Sequence, residues 1–220
     1  MMAALKTKRP VTVTSMTGPQ REVRALPDGR LEATVSARPV RTLRDGKWVP
    51  IDTKLRRRAD GLLAPGATTV GLAFSAGGGG PLVTMSRAGR TMSLAWPHGP
   101  LPAPVVDGES ATYQNVFQDV DLVVRAKPSG FSHVLVVKTP AAARDPKLAT
   151  VQMGLKADRM KVEADKAGGL RMVDQAAGGT VFKAAEPGNL KPEDETPYVR
   201  GGVLNRIEYG RRFRSKQGRS

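Results

Sequence analysis

Residues 39–52 read PVRTLRDGKWVPID, in which Asp45 and Gly46 lie between two arms of alternating side chains. An Asp-Gly pair in this setting predicts a β-hairpin, because a type I′ turn needs a positive φ angle at both central positions. With Asp45 and Gly46 as a two-residue loop, Leu43 is expected to pair with Trp48 across the hairpin. The alternation predicts two antiparallel strands that place their larger apolar side chains on defined faces.

Turns of related chemistry recur along the chain and extend this pattern. The sequence predicts that Asp28 and Gly29 turn a hairpin in which Leu26 faces Leu31, and that a hairpin at Ala88 and Gly89 pairs Met85 with Met92. Further turns are expected at residues 60–61, 107–108 and 127–130. Short strands separated by such turns at intervals of about 8–12 residues are typical of all-β folds. The predicted fold class is therefore an all-β, antiparallel β-sandwich built from consecutive hairpins.

The most continuously apolar segments are residues 116–124 and 131–137. Strands that are apolar on both faces are usually covered on both faces, so these two are expected at the centre of the sheets. Residues 141–145 form the only helical turn that the sequence predicts, because Pro146 prevents its continuation.

The composition divides the chain into three parts. Residues 1–9 are expected to be a disordered N-terminus, and residues 10–183 a β-sandwich domain with two sub-sheets divided near 97–104. Residues 184–220 are expected to form a disordered basic tail, in which positions 203–220 hold six Lys or Arg and one Glu. Runs of like charge with few apolar side chains favour disorder or contact with an anionic partner.

The net charge of +15 leaves two interpretations open. In the first, Arg56, Arg57 and Arg58 act with the basic tail in binding nucleic acid. In the second, arginine is spread over a solvated surface, which is favoured because successive side chains of a strand face opposite ways and no aromatic residues are interleaved. Cysteine is absent, which excludes disulfides and thiolate sites. No apolar run is long enough for a transmembrane helix, and the first ten residues lack the apolar core of a signal peptide.

Few residues have the pattern of a reactive site. Asp119 and Asp121 would share a face of one strand, which is the arrangement needed for a glycosidase-type carboxylate pair or for calcium, although solvated or turn-capping aspartates are favoured. His98 and His133 lack the spacing of metal ligands, and His133 is expected to be a hydrogen-bonded structural residue. The glycines at 77–80 are followed by no Lys-Ser or Lys-Thr, so a loop is expected there and no phosphate cradle. The sequence therefore assigns no catalytic, cofactor-binding or metal-ligating residue and predicts a protein that is not an enzyme and uses no cofactor.

Several segments resemble a known group of proteins. They are PVR at 39–41, RDGKWVPIDT at 44–53, LRRRADG at 55–61, ATY at 111–113, VDL at 120–122 and GFSHVLVVKT at 130–139. Together they resemble the N-terminal region of large secreted actinobacterial proteins that carry LamG-like jelly-roll, DNRLRE or RHS-repeat modules downstream. The resemblance covers about residues 8–183.

The resemblance implies a non-catalytic extracellular structural or interaction module that forms the N-terminal part of a larger secreted or cell-surface protein. Its implied partners are the downstream modules of the parent protein or components of the cell envelope. Because the resemblance stops near Lys183, before any downstream module, the chain is expected to be a fragment of a longer gene product. The alternative function is a basic nucleic-acid-binding protein.

Overall fold

A computed structural model describes residues 2–164 and 169–184 of the chain. Within them lie one short helix, α1 (Met2–Thr7), three 3₁₀ turns and eighteen strands. The strands are β1 (Val11–Thr12), β2 (Arg21–Ala25), β3 (Leu31–Val35), β4 (Arg41–Arg44), β5 (Lys47–Pro50), β6 (Asp52–Arg57), β7 (Leu63–Ala67), β8 (Gly71–Phe74), β9 (Val83–Arg87), β10 (Arg90–Ala95), β11 (Val105–Asp107), β12 (Ser110–Phe117), β13 (Val120–Lys127), β14 (Gly130–Val137), β15 (Gly154–Asp158), β16 (Met160–Ala164), β17 (Leu170–Asp174) and β18 (Thr180–Ala184).

These strands form antiparallel sheets, which confirms the predicted all-β class. Two sheets are large: one of six strands in the order β15-β10-β9-β8-β7-β6, and one of four strands in the order β11-β12-β13-β14. Three smaller sheets comprise β1-β2-β3, β4-β5 and β16-β17-β18. The proline-rich segment 97–104 lies between β10 and β11 and so connects the six-stranded sheet to the four-stranded one.

The hairpin at residues 39–52 has the predicted register. Asp45 and Gly46 have φ angles of 48° and 73°, as a type I′ turn requires, and Leu43 pairs with Trp48. The hairpin between β9 and β10 repeats this geometry, with φ angles of 48° at Ala88 and 70° at Gly89. It also pairs Met85 with Met92 as predicted.

The hairpin between β2 and β3 differs from the prediction by one residue. Ala25 pairs with Leu31, and the N–H of Leu26 donates to the Arg30 carbonyl at 2.8 Å, so Leu26 does not face Leu31. The cause is Pro27, whose fixed φ suits the second position of a type I turn and lengthens the loop to three residues. Gly29 then takes the left-handed position that ends such a loop, with a φ of 87°.

The apolar segments at 116–124 and 131–137 also differ from the prediction. Residues 116–124 are not one strand, because β12 ends at Phe117 and β13 begins at Val120, with a turn at Gln118 and Asp119 between them. Asp119 has a φ of 55°, which an aspartate tolerates better than most side chains. β14 lies at the edge of its sheet and not at the centre. β13 pairs with β12 on one side and with β14 on the other, and no described strand pairs with the far side of β14.

The two large sheets pack face to face and form one core. On β13 every second side chain is buried, and the buried set consists of Val120, Leu122, Val124 and Ala126. The six-stranded sheet contributes a facing set from β8, β9 and β10: Leu72, Phe74, Val83, Met85, Met92 and Leu94. The sheet β16-β17-β18 adds Met160, Met172 and Phe182 to the same cluster. Alternation of this kind buries one face of each sheet and leaves the other facing water.

Aromatic side chains mark the contact between the two large sheets. The rings of Phe74 on β8 and Phe131 on β14 meet edge to face, with centroids 6.3 Å apart. The Tyr113 hydroxyl on β12 donates to the carbonyl of Ser75 at 2.7 Å, directly after the end of β8. Tyr113 is fully buried, so this hydrogen bond lies inside the sandwich.

Of the three predictions about non-β segments, two are wrong and one is untested. Residues 2–7 form α1 within the segment expected to be disordered, because Ala, Leu and Lys favour helix, and Ala4 is fully buried. Residues 141–145 are not the only helical turn, since 3₁₀ turns also occur at Thr14–Met16 and Pro146–Leu148. The tail predicted to be disordered lies outside the described residues beyond Ala184.

Candidate functional site

The candidate carboxylate pair, Asp119 and Asp121, does not lie on one face of a single strand. Asp119 lies in the turn before β13, where its Oδ2 accepts a hydrogen bond from the Thr139 hydroxyl at 3.2 Å. Asp121 lies on β13, and its Oδ1 accepts from the backbone N–H of Asn115 at 2.8 Å and from Nζ of Lys138 at 2.8 Å. Both carboxylates therefore hold together the end of the β12–β13 hairpin.

Lys138 is the centre of this polar cluster. Its Nζ donates to Asp121 and also to the side-chain oxygen of Asn115 at 2.7 Å. Asn115 has a φ of 52° and lies where the register between β12 and β13 shifts, which is a β-bulge. A bulge leaves backbone groups outside the ladder, and the Asp121 carboxylate satisfies one of them. The cluster therefore pairs Asp121 with Lys138 and stabilises the bulge in the hairpin.

The three consecutive arginines make separate local contacts. Arg56 pairs with Asp52 at 2.8 Å and Arg58 pairs with Asp60 at 2.9 Å, while Nη1 of Arg57 donates to the Gly61 carbonyl at 3.0 Å. The hydrogen bond from Arg56 is the main reason that the pKa of the Asp52 carboxyl lies below its usual range. The two ion pairs are more than half exposed on the arginine side, so solvent screens them.

The two histidines lie far from each other in the sequence and have different surroundings. His98 hydrogen-bonds through Nε2 to the Gln152 carbonyl at 2.9 Å and lies against the Trp96 ring, with centroids 4.7 Å apart. His133 lies on β14, where burial lowers its pKa and favours the neutral ring. The expected hydrogen bond to His133 is not found among the described residues, so its structural role there rests on packing beside Phe131.

Metal-ligating groups do not cluster in the part of the chain that the structure describes. No three side chains of His, Asp or Glu converge there in a way that could hold an ion. The glycine loop at 77–80 is joined to the proline-rich connector, since Gly78 and Leu101 exchange backbone hydrogen bonds at 2.8 and 2.9 Å. The backbone N–H and C=O of Gly78 are therefore used in hydrogen bonds within the fold.

Sequence reasoning missed the ion pair that joins the six-stranded sheet to the sheet β16-β17-β18. Arg90 on β10 and Asp174 at the end of β17 approach to 2.7 Å, and both side chains are mostly buried. The backbone N–H groups of Ala177 and Ala176 also donate to Asp174, and these bonds together with Arg90 hold the pKa of its carboxyl below the usual value. The two partners are far apart in the sequence and belong to no motif, so no local signal could reveal the pair.

Comparison of the chain with protein-family models, with curated proteins and with solved structures finds no match. Among the described residues, no helix has the length and apolar character needed to cross a membrane.

Proposed function

We propose that this chain is a non-catalytic structural and interaction module and forms the N-terminal part of a larger secreted or cell-surface protein. The observation that carries the proposal is that the two candidate reactive carboxylates, Asp119 and Asp121, are hydrogen-bonded to other residues of the fold. Asp121 is bound by Lys138 and by a bulge amide, and Asp119 is bound by Thr139. Catalytic carboxylates must face a substrate, whereas these two stabilise the end of a hairpin.

The resemblance at residues 39–61 and 130–139 supports the same proposal, since it relates the chain to exported modules of large actinobacterial proteins. The β-sandwich architecture alone does not support the proposal, because it occurs in proteins with many unrelated functions. The proposed partners are the downstream modules of the parent protein or components of the cell envelope. The proposed location is outside the cell.

The alternative is a basic protein that binds nucleic acid through Arg56, Arg57, Arg58 and the tail. The net charge of +15 supports it. The contacts of the arginines weigh against it, because Arg56 and Arg58 are paired with carboxylates of neighbouring residues. An arginine that binds phosphate would have to give up such a pair.

The experiment that separates these functions uses one purified protein and three assays. The whole chain is tested for retention by isolated actinobacterial cell envelopes, for binding to a labelled DNA duplex between about 50 and 200 mM salt, and for hydrolysis of envelope glycans. The structural module should be retained by envelopes, with little dependence on salt, and should release no sugar. The variant with Arg56, Arg57 and Arg58 all changed to Ala should be retained equally.

Two results would contradict the proposal. Duplex binding that weakens steeply with salt and is lost in the triple Ala variant would establish the nucleic-acid alternative. Glycan hydrolysis that is abolished by Asp121→Asn but kept by the control Asp158→Asn would show that the carboxylate is catalytic. Absence of retention by envelopes would remove the envelope as a partner.

A further inference from the structure

β3 is an edge strand that the rest of the described chain leaves uncovered. Among the described strands of five or more residues, it alone has every residue exposed. Leu31 is 50% exposed and Val35 is 72% exposed, which is unusual for large apolar side chains at the edge of a sheet. Apolar edges of this kind pair readily with other strands.

The hydrogen bonding of the hairpin shows which backbone groups of β3 face outward. Leu26 bonds to Arg30 and Ser36 bonds to Gln20, so the even-numbered residues of β3 bond to β2. In an antiparallel pair the alternate residues direct their N–H and C=O groups the other way. The outward groups of β3 therefore belong to Leu31, Ala33 and Val35.

Leu31 and Ala33 continue an apolar face that the rest of the described chain covers over β2 and leaves open over β3, while Val35 lies opposite Arg21. Val23 and Ala25 on β2 are buried, while their neighbours Ala33 and Leu31 on β3 are exposed. Residues directly opposite in an antiparallel pair share one face of the sheet. Half of this face is therefore open to solvent and lies next to an unpaired strand edge.

Two other edges in the described chain, β6 and β5, carry protection that β3 lacks. β6 has a register shift between Asp52 and Leu55 and carries exposed arginines, and β5 contains Pro50. Bulges, charges and proline are the usual devices against edge pairing. β3 has a regular register along its whole length and one charged residue, Glu32.

We propose that β3 pairs antiparallel with β3 of a second copy of this chain, about a two-fold axis at Ala33. Leu31 of each copy then lies beside Val35 of the other, and two three-stranded sheets become one of six strands. This pairing does not depend on the proposed function of the module.

The apolar side chains favour a second copy in this register, since Leu31 of one copy and Val35 of the other lie side by side at both ends of the contact. On the polar face, Glu32 would meet the uncharged Thr34 of the other copy, while its own neighbour Arg24 stays beside it. No like charges lie directly opposite one another in this register. Five residues on each side cover less than the area of about 1,200 Å² at which stable interfaces begin, so the dissociation constant of the dimer is expected to be about 10 μM or higher.

The test is sedimentation velocity of the full chain over a wide concentration range. The wild type should shift from monomer to dimer as concentration rises. Ala33→Pro should weaken dimerisation by about tenfold or more, because proline removes the outward N–H at the axis without removing a bond to β2. The matched control Ala33→Ser keeps the N–H and should dimerise as the wild type does. Unchanged circular dichroism and melting of Ala33→Pro would show that the fold is intact.

A cross-link tests the register, since the chain contains no cysteine. Residues opposite each other at the axis have Cα atoms about 5.5 Å apart, which a disulfide can span. With oxidised glutathione, Ala33→Cys should form a covalent dimer, whereas Ala176→Cys, at an exposed turn, should not. A wild type that stays monomeric at every concentration, or a Ala33→Pro variant that dimerises unchanged, would overturn the proposal. Equal cross-linking of the two cysteine variants would also overturn it.

Discussion

The Tyr113→Phe substitution tests the contact between the two large sheets. Tyr113 lies on the four-stranded sheet and is fully buried, and its hydroxyl donates at 2.7 Å to the carbonyl of Ser75 beside the six-stranded sheet. Phenylalanine keeps the ring and its packing and removes one oxygen atom. The change therefore isolates a single hydrogen bond between the sheets.

The expected cost follows from what the substitution leaves behind. Ser75 is 3% exposed, so its carbonyl cannot regain a bond from bulk water. Leaving a buried acceptor without its donor costs about 1–3 kcal/mol of the free energy of unfolding. For a domain of this size that corresponds to a melting temperature lower by about 2–12 °C. Urea unfolding should show a lower midpoint with an unchanged slope.

The dependence of stability on alkaline pH is a second test of the buried Tyr113 hydroxyl with the same variant. Burial raises the pKa of Tyr113 well above its ordinary value near 10, because the ionised ring oxygen would lose its hydration. The neutral form thus contributes stability that is present below about pH 10 and is lost as the pH rises further, when the unfolded chain releases the proton. The wild type should lose stability in this range more steeply than Tyr113→Phe.

The control is Thr180→Val, which removes an exposed hydroxyl from β18 and should change stability by less than about 0.5 kcal/mol. If Tyr113→Phe melted at the wild-type temperature and followed the wild-type curve in alkali, the hydroxyl would not lie between the sheets. The reasoning about how the sheets meet would then be refuted.

Further predictions concern an ion pair, a histidine and a glycine. Asp174→Asn removes the ion pair between β10 and β17 and should lower the urea midpoint at neutral pH, whereas the exposed control Asp158→Asn should not. Because the pKa of Asp174 is lowered in the fold, the difference should begin to shrink below about pH 4 and disappear as the pH falls through that lowered pKa. His133→Leu should abolish the part of the acid destabilisation that begins below about pH 6.5, since burial lowers the pKa of His133 and the unfolded chain gains the proton first. Gly66→Ala should lower the melting temperature only slightly, because its Cβ would displace the side-chain ends of the exposed Asp52–Arg56 ion pair. Gly79→Ala points into open space and should leave the melting temperature unchanged.

The parts of the fold that the sequence predicted are those governed by neighbouring residues. The hairpins at Asp45 and Ala88 formed with the expected register because a short side chain followed by glycine specifies a type I′ turn. The alternation of Met85 and Met92 with polar residues likewise predicted which face is buried. In both cases the information lies within about ten residues of the chain.

The parts that it did not predict depend on a competing local signal or on distant residues. Pro27 preceded an Asp-Gly pair and changed the turn type, which moved the register of β3 by one residue, so that Leu31 lies opposite Ala25. The edge position of β14 depends on which strands lie beside it, and its apolar composition alone pointed to the centre. The candidate pair Asp119 and Asp121 was mistaken for neighbours on one strand because a positive φ at an aspartate is difficult to predict from sequence.

The most direct test of the face-to-face packing is a nuclear Overhauser experiment on the folded chain. The rings of Phe74 and Phe131 belong to different sheets, and their centroids are 6.3 Å apart. Cross-peaks between their ring protons, which disappear in Phe74→Leu, are the predicted result. Fully assigned rings of Phe74 and Phe131 without any such cross-peak would contradict the account.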